Sequence, residues 1–527
     1  MIGVEWLMAA RAAEMKNVSG SYWILSTDET NYPALQDNIT TDVAIVGGGL
    51  IGLTAAYLLS KEGVNVAVLE ADRIVQGTTG HSTAKITSQH DLFYAKLINQ
   101  VGREQAKQYA DANEHAIRFI ASLVKEHDID CDFAWSPAYV YTQQEKYVRQ
   151  IEEEARAAGE LGIQATIEDR LDLPFPVKAA LKFEGQARFH PLKYLKSLVK
   201  TFPDTCRIYE HTRAVNIEDD DAGHCLVIAE NGRTVKAGKV IVASHFPFFD
   251  GGGLYFARMY ANRSYSLGIT IDGDFPDGMY ITAELPSRSL RLQPFGNKQL
   301  VIVAGEGHKT GQTADTNQHY QNLIDYAHAN FKVRDILYRW STQDYETLDG
   351  VPYIGRLTGD HPNIHVATGF KKWGIANGTA AARILTDQIL TGHSPWGQVF
   401  DPGRFTPVAS AFNFVTQNAN VAKQLISGKL RPALDRADVP IGEARIIRVE
   451  GDKCGAFRDE KGKLHVVDVT CAHMGCELEW NDSERSWDCP CHGSRFTYEG
   501  DIVEGPALSP LHHPGQGPNQ VEPNVLQ

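Results

Sequence analysis

The stretch that most constrains this fold lies between residues 42 and 70. Asp42-Val-Ala-Ile-Val46 is a short apolar run, Gly47-Gly-Gly49-Leu50-Ile51-Gly52 is a glycine turn, and Leu53–Ser60 is apolar at helical spacing. A second apolar run, Asn65-Val-Ala-Val-Leu69, follows at once and ends at Glu70. Strand, tight turn, helix and strand in so short a span build a right-handed βαβ unit, the seed of a parallel sheet. Gly47 makes the turn, Gly49 lets the backbone approach a pyrophosphate, and Gly52 lets helix pack on strand. The helix N-terminus then offers its N–H groups to phosphate oxygens. Glu70 stands about 20 residues past the glycines, where an acidic side chain bonds a ribose diol. Three glycines alone are a weak signal; with both strands, the helix and the acid in place they specify a dinucleotide site.

The segments that follow bear on which dinucleotide it is. Gly77-Thr78-Thr79-Gly80-His-Ser82-Thr83-Ala-Lys85 is small and hydroxylic. Such a run can pass beside a diphosphate and an isoalloxazine ring, and it would equally serve as a capped helix start. Residues 91–160 read as mostly helical. Val215 sits in a strand-like Arg213-Ala-Val-Asn-Ile217, and Val240-Ile-Val-Ala243-Ser-His245 reads as a buried parallel strand ending in small residues. Residues 255–305 alternate in polarity, which predicts a largely antiparallel sheet. Gly305-Glu-Gly307-His-Lys-Thr-Gly311 looks like a second nucleotide turn, but its third glycine falls one place late and no helix-and-acid unit follows. We read it as a loop, which argues against a second, pyridine-nucleotide site. Leu348–Gly355 leads to the strand Ile364–Gly369, the turn Phe370-Lys-Lys372-Trp373-Gly374, and a helix from about 375 to 389. A helix starting there would aim its positive end at negative charge on a bound ring.

Together these segments resemble the flavin oxidoreductases of the glycine oxidase, sarcosine oxidase and D-amino-acid dehydrogenase superfamily, over about 350 residues. The resemblance implies FAD, an FAD domain interrupted by a sheet-based substrate domain, and hydride removal from a C–N bond of a small amine or amino acid. It assigns the cofactor to Gly47, Gly49, Leu50, Ile51, Gly52 and Glu70 of the first unit, and to Thr78, Thr79, Gly80, Ser82 and Thr83 of the hydroxylic run. Val215, Ala243, Gly369, Trp373 and Gly374 complete the expected set. Sarcosine oxidases attach flavin through a Cys near the last strand. None stands beside Thr368 and Gly369, so non-covalent FAD is expected. Lys371, Lys372 and Trp373 replace the usual small residues, and Lys372 is the one candidate for a catalytic side chain. Arg258, Arg263 and Arg291 would hold a substrate carboxylate or serve as structural arginines. His81, His245 and His308 read as structural.

A second chemistry is written near the C-terminus. Cys471-Ala-His473-Met-Gly-Cys476 and Cys489-Pro-Cys491-His492-Gly-Ser494 hold four of the chain's eight cysteines. Cys471, His473, Cys489 and His492 offer two thiolates and two imidazoles. That donor set suits a [2Fe–2S] cluster with one iron held by sulfur and the other by nitrogen, and it also suits structural zinc. A zinc finger, however, spaces its ligands differently and has no use for two further cysteines.

The two halves meet every position of the pattern of Rieske proteins of the cytochrome bc and b6f type, which the stretch resembles. That resemblance implies the cluster, the four ligands just named, a disulfide between Cys476 and Cys491, and a hydrogen bond from Ser494 to a cluster sulfide. Where bc-type proteins carry a Tyr that also supports the cluster, this chain has Phe496, so a lower potential is expected. Arg445–Val449 and Lys463–Asp468 read as strands of the small all-β fold around it. Cys131, Cys206, Cys225 and Cys454 are scattered and read as buried single thiols.

The expected architecture is thus an α/β FAD-binding Rossmann-like domain with an inserted antiparallel-sheet substrate domain, plus a small all-β Rieske domain. The boundaries we expect are an N-terminal extension over 1–40, anchored by Trp23 and Tyr32, and an oxidoreductase domain over 41–400. Within the latter, FAD-binding parts fall at about 41–90, 185–250 and 340–395, and substrate-domain parts at 91–184 and 251–339. A linker helix over 401–435 precedes the Rieske domain over 436–515 and a disordered tail over 516–527. The apolar rhythm of residues 407–427 suits packing on a domain or a peripheral membrane contact.

A formal net charge of −14 argues against nucleic acid. No window has the roughly 18 consecutive apolar residues of a membrane span, and the N-terminus lacks a secretory pattern. The cytoplasm is the expected compartment, although a disulfide sits uneasily there. The expected function is a flavin-dependent dehydrogenase that passes electrons through the cluster to a quinone, a cytochrome or a ferredoxin-like carrier. The alternative is an electron-transfer protein whose flavin is reduced by a protein partner, with no organic substrate of its own.

Overall fold

The computed structural model describes residues 18–219, 223–313, 315–404, 407–435 and 438–514. Its chain forms two compact units. The larger takes the residues up to 259, 263–307 and 319–412; the smaller takes 260–262, 308–318 and everything from 413 on. The tail read as disordered, and residues 1–17 of the expected extension, lie outside the described residues.

The larger unit begins from the predicted βαβ. Strand Ile39–Val46 is buried over its last four residues, helix Leu50–Lys61 is buried on nearly all sides, and strand Val66–Leu69 is buried throughout. Val43–Val46 pair in parallel with Val66–Leu69, so the two strand ends and the helix start converge. Parallel strands Cys206–Tyr209, Thr234–Val242 and Ile364–Thr368 extend this sheet, and a meander of Ala214–Asp219 and Cys225–Ala229 closes one side. Such strands are nearly continuous Val, Ile and Ala because helices cover both faces. Helix Gly374–Thr391 packs closely on helix Leu50–Lys61: a Cβ on its Gly378 would stand 3.0 Å from Ile51 and 3.2 Å from Leu50.

The second sheet of this unit has nine strands among the described residues, and Met259–Ile271, Arg288–Phe295, Lys298–Lys309 and Val333–Thr347 supply its long members. Arg288–Phe295 pairs antiparallel with Lys298–Gly305. Not every pair is antiparallel: Met279–Thr282 runs parallel to Ala138–Thr142. The stretch read as a loop, Gly305–Gly311, instead continues the strand to Lys309 before turning. The helical region resolves into Tyr94–Glu126, broken at Gly102 where φ is 80°, and Val148–Glu160, with short strands between.

Residues 18–36, read from sequence as an extension ahead of the domain, pack inside the larger unit. Val18–Ser19 adds a parallel strand to Tyr338–Arg339, and Trp23 is fully buried.

In the smaller unit, strands Ala444–Val449, Asp452–Arg458 and Leu464–Asp468 form one antiparallel meander. Strands Glu479–Asn481, Ser486–Asp488, Arg495–Thr497 and Ile502–Glu504 form another. The helix Pro407–Leu430 spans the stretch whose apolar rhythm predicted a helix. Val421 and Leu425 pack on the core that holds Cys471 and Cys489, whereas Phe414, Val415 and Ile426 are exposed. Cys131, Cys225 and Cys454 are buried and Cys206 is half-buried. Among the described residues no helix is long and apolar enough to cross a membrane.

Candidate functional site

The glycine turn is as tight as its sequence requires. Gly47 has φ 113°, and a Cβ there would stand 2.4 Å from the Ala243 carbonyl oxygen, at the end of a neighbouring strand. A Cβ on Gly52 would stand 1.9 Å from the Gly47 oxygen. Gly49, at the N-cap of helix Leu50–Lys61, offers no side-chain acceptor of its own, so apart from the Leu50 N–H the free N–H groups of the first turn can meet an anion. Glu70 accepts from the Gly48 N–H at 2.7 Å and from the Asp72 N–H at 3.0 Å. Burial raises its carboxyl's pKa, and those two N–H groups pull it back.

The hydroxylic run sits against this turn. The Leu50 N–H donates to Thr79 Oγ1 at 3.1 Å, and Thr78 Oγ1 lies 3.2 Å from His245 Nδ1. Thr368 Oγ1 donates to the His245 carbonyl at 2.5 Å, which ties the last parallel strand to the same place. Gly369, with φ 79°, is backed by Thr347. The structure therefore brings Gly47–Gly52, Glu70, Thr78, Thr79, Ala243 and Gly369 together. Val215 occupies a bulge in its strand, three residues past Thr212, whose N–H donates to the Glu70 carbonyl. Gly80 and Ser82 are held from behind by other segments, as described below.

Trp373 caps helix Gly374–Thr391 and stacks on His90, ring centres 5.0 Å apart. Burial holds His90 neutral, with its pKa lowered to about 3. Nε2 lies 2.9 Å from the Thr87 carbonyl, which can only accept, so Nε2 carries the proton and Nδ1 accepts from the Tyr109 hydroxyl at 2.6 Å. Beside it, burial raises the pKa of Asp91, while Lys371, Lys372 and Lys85 oppose that shift. Lys85 is the residue that sequence reading quoted but did not assign. It donates to Ser289 Oγ and, at 3.4 Å, to the Tyr280 carbonyl. Burial, with the charge of Arg291, lowers its pKa to about 7. The only sequence signal for it was a lysine standing between Ala84 and Ile86.

The three arginines take the structural option. Arg258 donates to the carbonyls of Gly253 and Pro402 and lies over the Tyr353 ring. Arg263 is buried and donates to Ser341. Arg291 is fully buried and donates to the Ala84 carbonyl and to Gln293.

In the smaller unit, two short loops present the Cys and His residues. The Cys471 N–H donates to the Cys476 carbonyl at 2.7 Å, and the Cys489 N–H to the Ser494 carbonyl at 2.7 Å, so each loop is closed at its base. Cys476 and Cys491 are joined as a disulfide with Cα atoms 6.5 Å apart. Cys471 and Cys489 act on each other: their mutual interaction is the first cause that lowers the pKa of Cys471 and raises that of Cys489. The rings of His473 and His492 face each other at 5.0 Å and nearly at right angles. Ser494 Oγ reaches Cys471 and also accepts from the Ala507 N–H at 3.0 Å. Paired sulfurs beside paired imidazoles are the donor set of a [2Fe–2S] cluster with mixed ligation, and the residues fit that group. Cys471, Cys489 and His492 are buried, His473 is half-buried, and its neighbour Met474 is exposed.

Residues 42–388 match the family model of FAD dependent oxidoreductases, and residues 430–515 match that of the Rieske [2Fe-2S] domain. The Bacillus subtilis protein YhfW, described as a Rieske 2Fe-2S iron-sulfur protein, is 44% identical over 498 residues, which is 94% of this chain and 97% of that one. Among solved structures, glycine oxidase from Geobacillus kaustophilus superimposes with a TM-score of 0.58 at 16% identity, over 69% of this chain and 99% of its own. L-proline dehydrogenase from P. horikoshii gives 0.58 at 17% identity, over 70% and 98%. At such identity the likeness is one of fold.

Proposed function

Because the chain belongs to the FAD dependent oxidoreductase family and carries a Rieske [2Fe-2S] domain, we propose that it oxidises a small amine or amino acid and delivers the electrons singly, through the cluster, to a carrier. One observation carries this reading: a single chain holds both a dinucleotide turn and a Cys2His2 cluster site. FAD takes up two electrons at once, and a [2Fe–2S] cluster passes one at a time. Mixed ligation sets a potential in the range of roughly −150 to +300 mV, which suits a quinone, a cytochrome or a ferredoxin-like acceptor. The glycine oxidase and L-proline dehydrogenase folds favour a C–N donor.

In this reading Cys471 and Cys489 hold one iron and His473 and His492 the other. The turn Gly47–Gly52 receives the diphosphate and Glu70 the ribose. Helix Gly374–Thr391 turns its positive end to the flavin. Lys371 and Lys372 add positive charge beside that end, and Lys372 is the candidate to stabilise reduced flavin or to meet a substrate carboxylate. His90, neutral and stacked on Trp373, fills space there without adding charge.

The test is an anaerobic titration of the holoprotein with a panel of amines and amino acids, followed by flavin absorbance and by EPR of the cluster. Bleaching by at least one compound, with the cluster signal growing as the flavin fills, is the expected result. If no compound bleaches the flavin but a reduced electron-transfer protein does, the chain is an electron carrier without an organic substrate.

A further inference from the structure

The hydroxylic run after the second strand has an unusual backing. Four carbonyls of residues 80–84 are each taken by a side chain from elsewhere in the larger unit. Ser21 Oγ donates to the Gly80 oxygen, Trp340 Nε1 to His81 at 2.9 Å, Trp23 Nε1 to Ser82 at 2.7 Å, and Arg291 to Ala84. Two of these donors come from the segment ahead of the domain. That segment also touches the run directly: a Cβ on Gly80 would stand 3.1 Å from Ile24. Arg291 lies over the Trp23 ring at 5.2 Å, so two of the clamps brace each other.

The same segment is tied down along its length. Val18 and Ser19 pair with Tyr338 and Arg339. Ser26 Oγ meets His190 Nε2 at 3.0 Å, and the Leu35 N–H donates to Thr212 Oγ1 at 3.0 Å. The buried carboxylate of Glu210 accepts from Thr30 and from the Tyr32 N–H at 2.8 Å, and also from the Ile74 N–H at 2.9 Å. Residues 18–35 therefore grip the stretch 74–84 at both ends, and within that stretch Thr79 accepts from the first N–H of the phosphate-facing helix.

We propose that residues 18–35 are a strap that holds the loop 74–84 in its FAD-binding shape, with Trp23 and Ser21 as positioning residues for the cofactor. This goes beyond the oxidoreductase reading and rests on it only in taking FAD to lie between the glycine turn and Thr78–Thr79. Each clamp spends a buried donor on a backbone carbonyl that a loose loop would leave to water. With the carbonyls turned back into the protein, the side chains of Thr78 and Thr79 are turned the other way, toward the turn. The strap needs no contact with FAD itself to act on it.

The experiment uses the full-length holoprotein and the substitutions Trp23→Phe and Ser21→Ala. Trp23→Phe keeps an aromatic ring under Arg291 and removes the donor to Ser82 together with part of the buried ring volume, whereas Ser21→Ala removes little besides a donor. Three quantities are read: FAD release after dilution, followed by flavin fluorescence; the shape of the visible flavin bands; and the unfolding temperature of the apoprotein. The expected result is FAD release faster by about tenfold in each variant, with altered flavin bands, while the apoprotein's unfolding temperature falls by only the few degrees that one buried hydrogen bond is worth. Release within about twofold of wild type in both variants would overturn the proposal, and so would faster release with unaltered flavin bands. A wild-type protein that retains no flavin at all would instead overturn the FAD assignment.

Discussion

The two cofactor sites differ in how far apart in the chain their parts lie. The cluster site is made by residues 471–494, on two loops each closed by its own backbone hydrogen bond and joined by one disulfide. The proposed flavin site draws on residues from Gly47 to Gly374, on several strand ends, a helix start and a run clamped by side chains as distant as Ser21 and Trp340. The first is a local construction in which spacing and geometry are nearly the same thing. The second exists only when a whole sheet has closed. A substitution in the first should therefore act on one cofactor alone, while the second can be damaged from many places.

The largest effects should test this independence. His492→Ala removes one of the four proposed cluster ligands and should abolish the cluster's EPR signal while leaving FAD content at the wild-type level. Loss of flavin as well would show that the sites are built together. Gly52→Ala should do the reverse, because its Cβ would meet the Gly47 oxygen at 1.9 Å. The purified protein should lack bound FAD and keep its cluster spectrum.

Next in size is the buried pair Asp349–Arg404, at 2.8 and 2.9 Å. Burial alone would raise the Asp349 pKa, and Arg404 more than reverses that. Asp349→Ala strands a buried guanidinium and should cost about 3–5 kcal/mol in the denaturant unfolding of the larger unit, with no change in the cluster signal.

Acid should also separate the units. His90 and His190 each have their pKa lowered by burial to about 3. A base with a depressed folded pKa contributes stability above its unfolded pKa, near 6.5, and loses it as pH falls toward the folded value. Between those limits the two histidines together should steepen the loss to at most about 2.7 kcal/mol per pH unit. The double variant His90→Gln, His190→Gln should flatten that slope in a pH series of unfolding midpoints.

The smallest effect is a refinement of the cluster. Phe496 is fully buried in the core around the cysteines. Phe496→Tyr should supply a hydroxyl donor worth about 1 kcal/mol, and so raise the one-electron potential by roughly 40 mV in an EPR-monitored titration. A fall, or no change, would show that the ring does not point its edge at the cluster.

Much of this was legible in the chain. The strand, turn and helix at 42–61 could be read because a continuous apolar run, a glycine turn and a second apolar segment leave direct traces in so short a span. The Cys and His spacing could be read because metal ligands must come from the same two short loops. Lys85, His90 and Asp91 were not legible as a cluster with Lys371 and Lys372, since nothing in their own neighbourhoods marks them. Arg291 could be offered as a carboxylate holder only until its partners, Ala84 and Gln293, were seen. Residues 18–36 read as an extension because their partners, Ser82, Glu210 and Arg339, lie scattered over the next 300 or so positions.

The sequence by itself determined the two cofactors. Phosphate binding and iron ligation each demand particular groups at short, fixed spacing, and such spacing survives in a one-dimensional record. Only the tertiary structure decided which charges lie together, which arginines are already engaged, and that the first described residues belong to the core. Those outcomes depend on contacts between segments far apart in the chain, where close packing, and not local spacing, selects the partner.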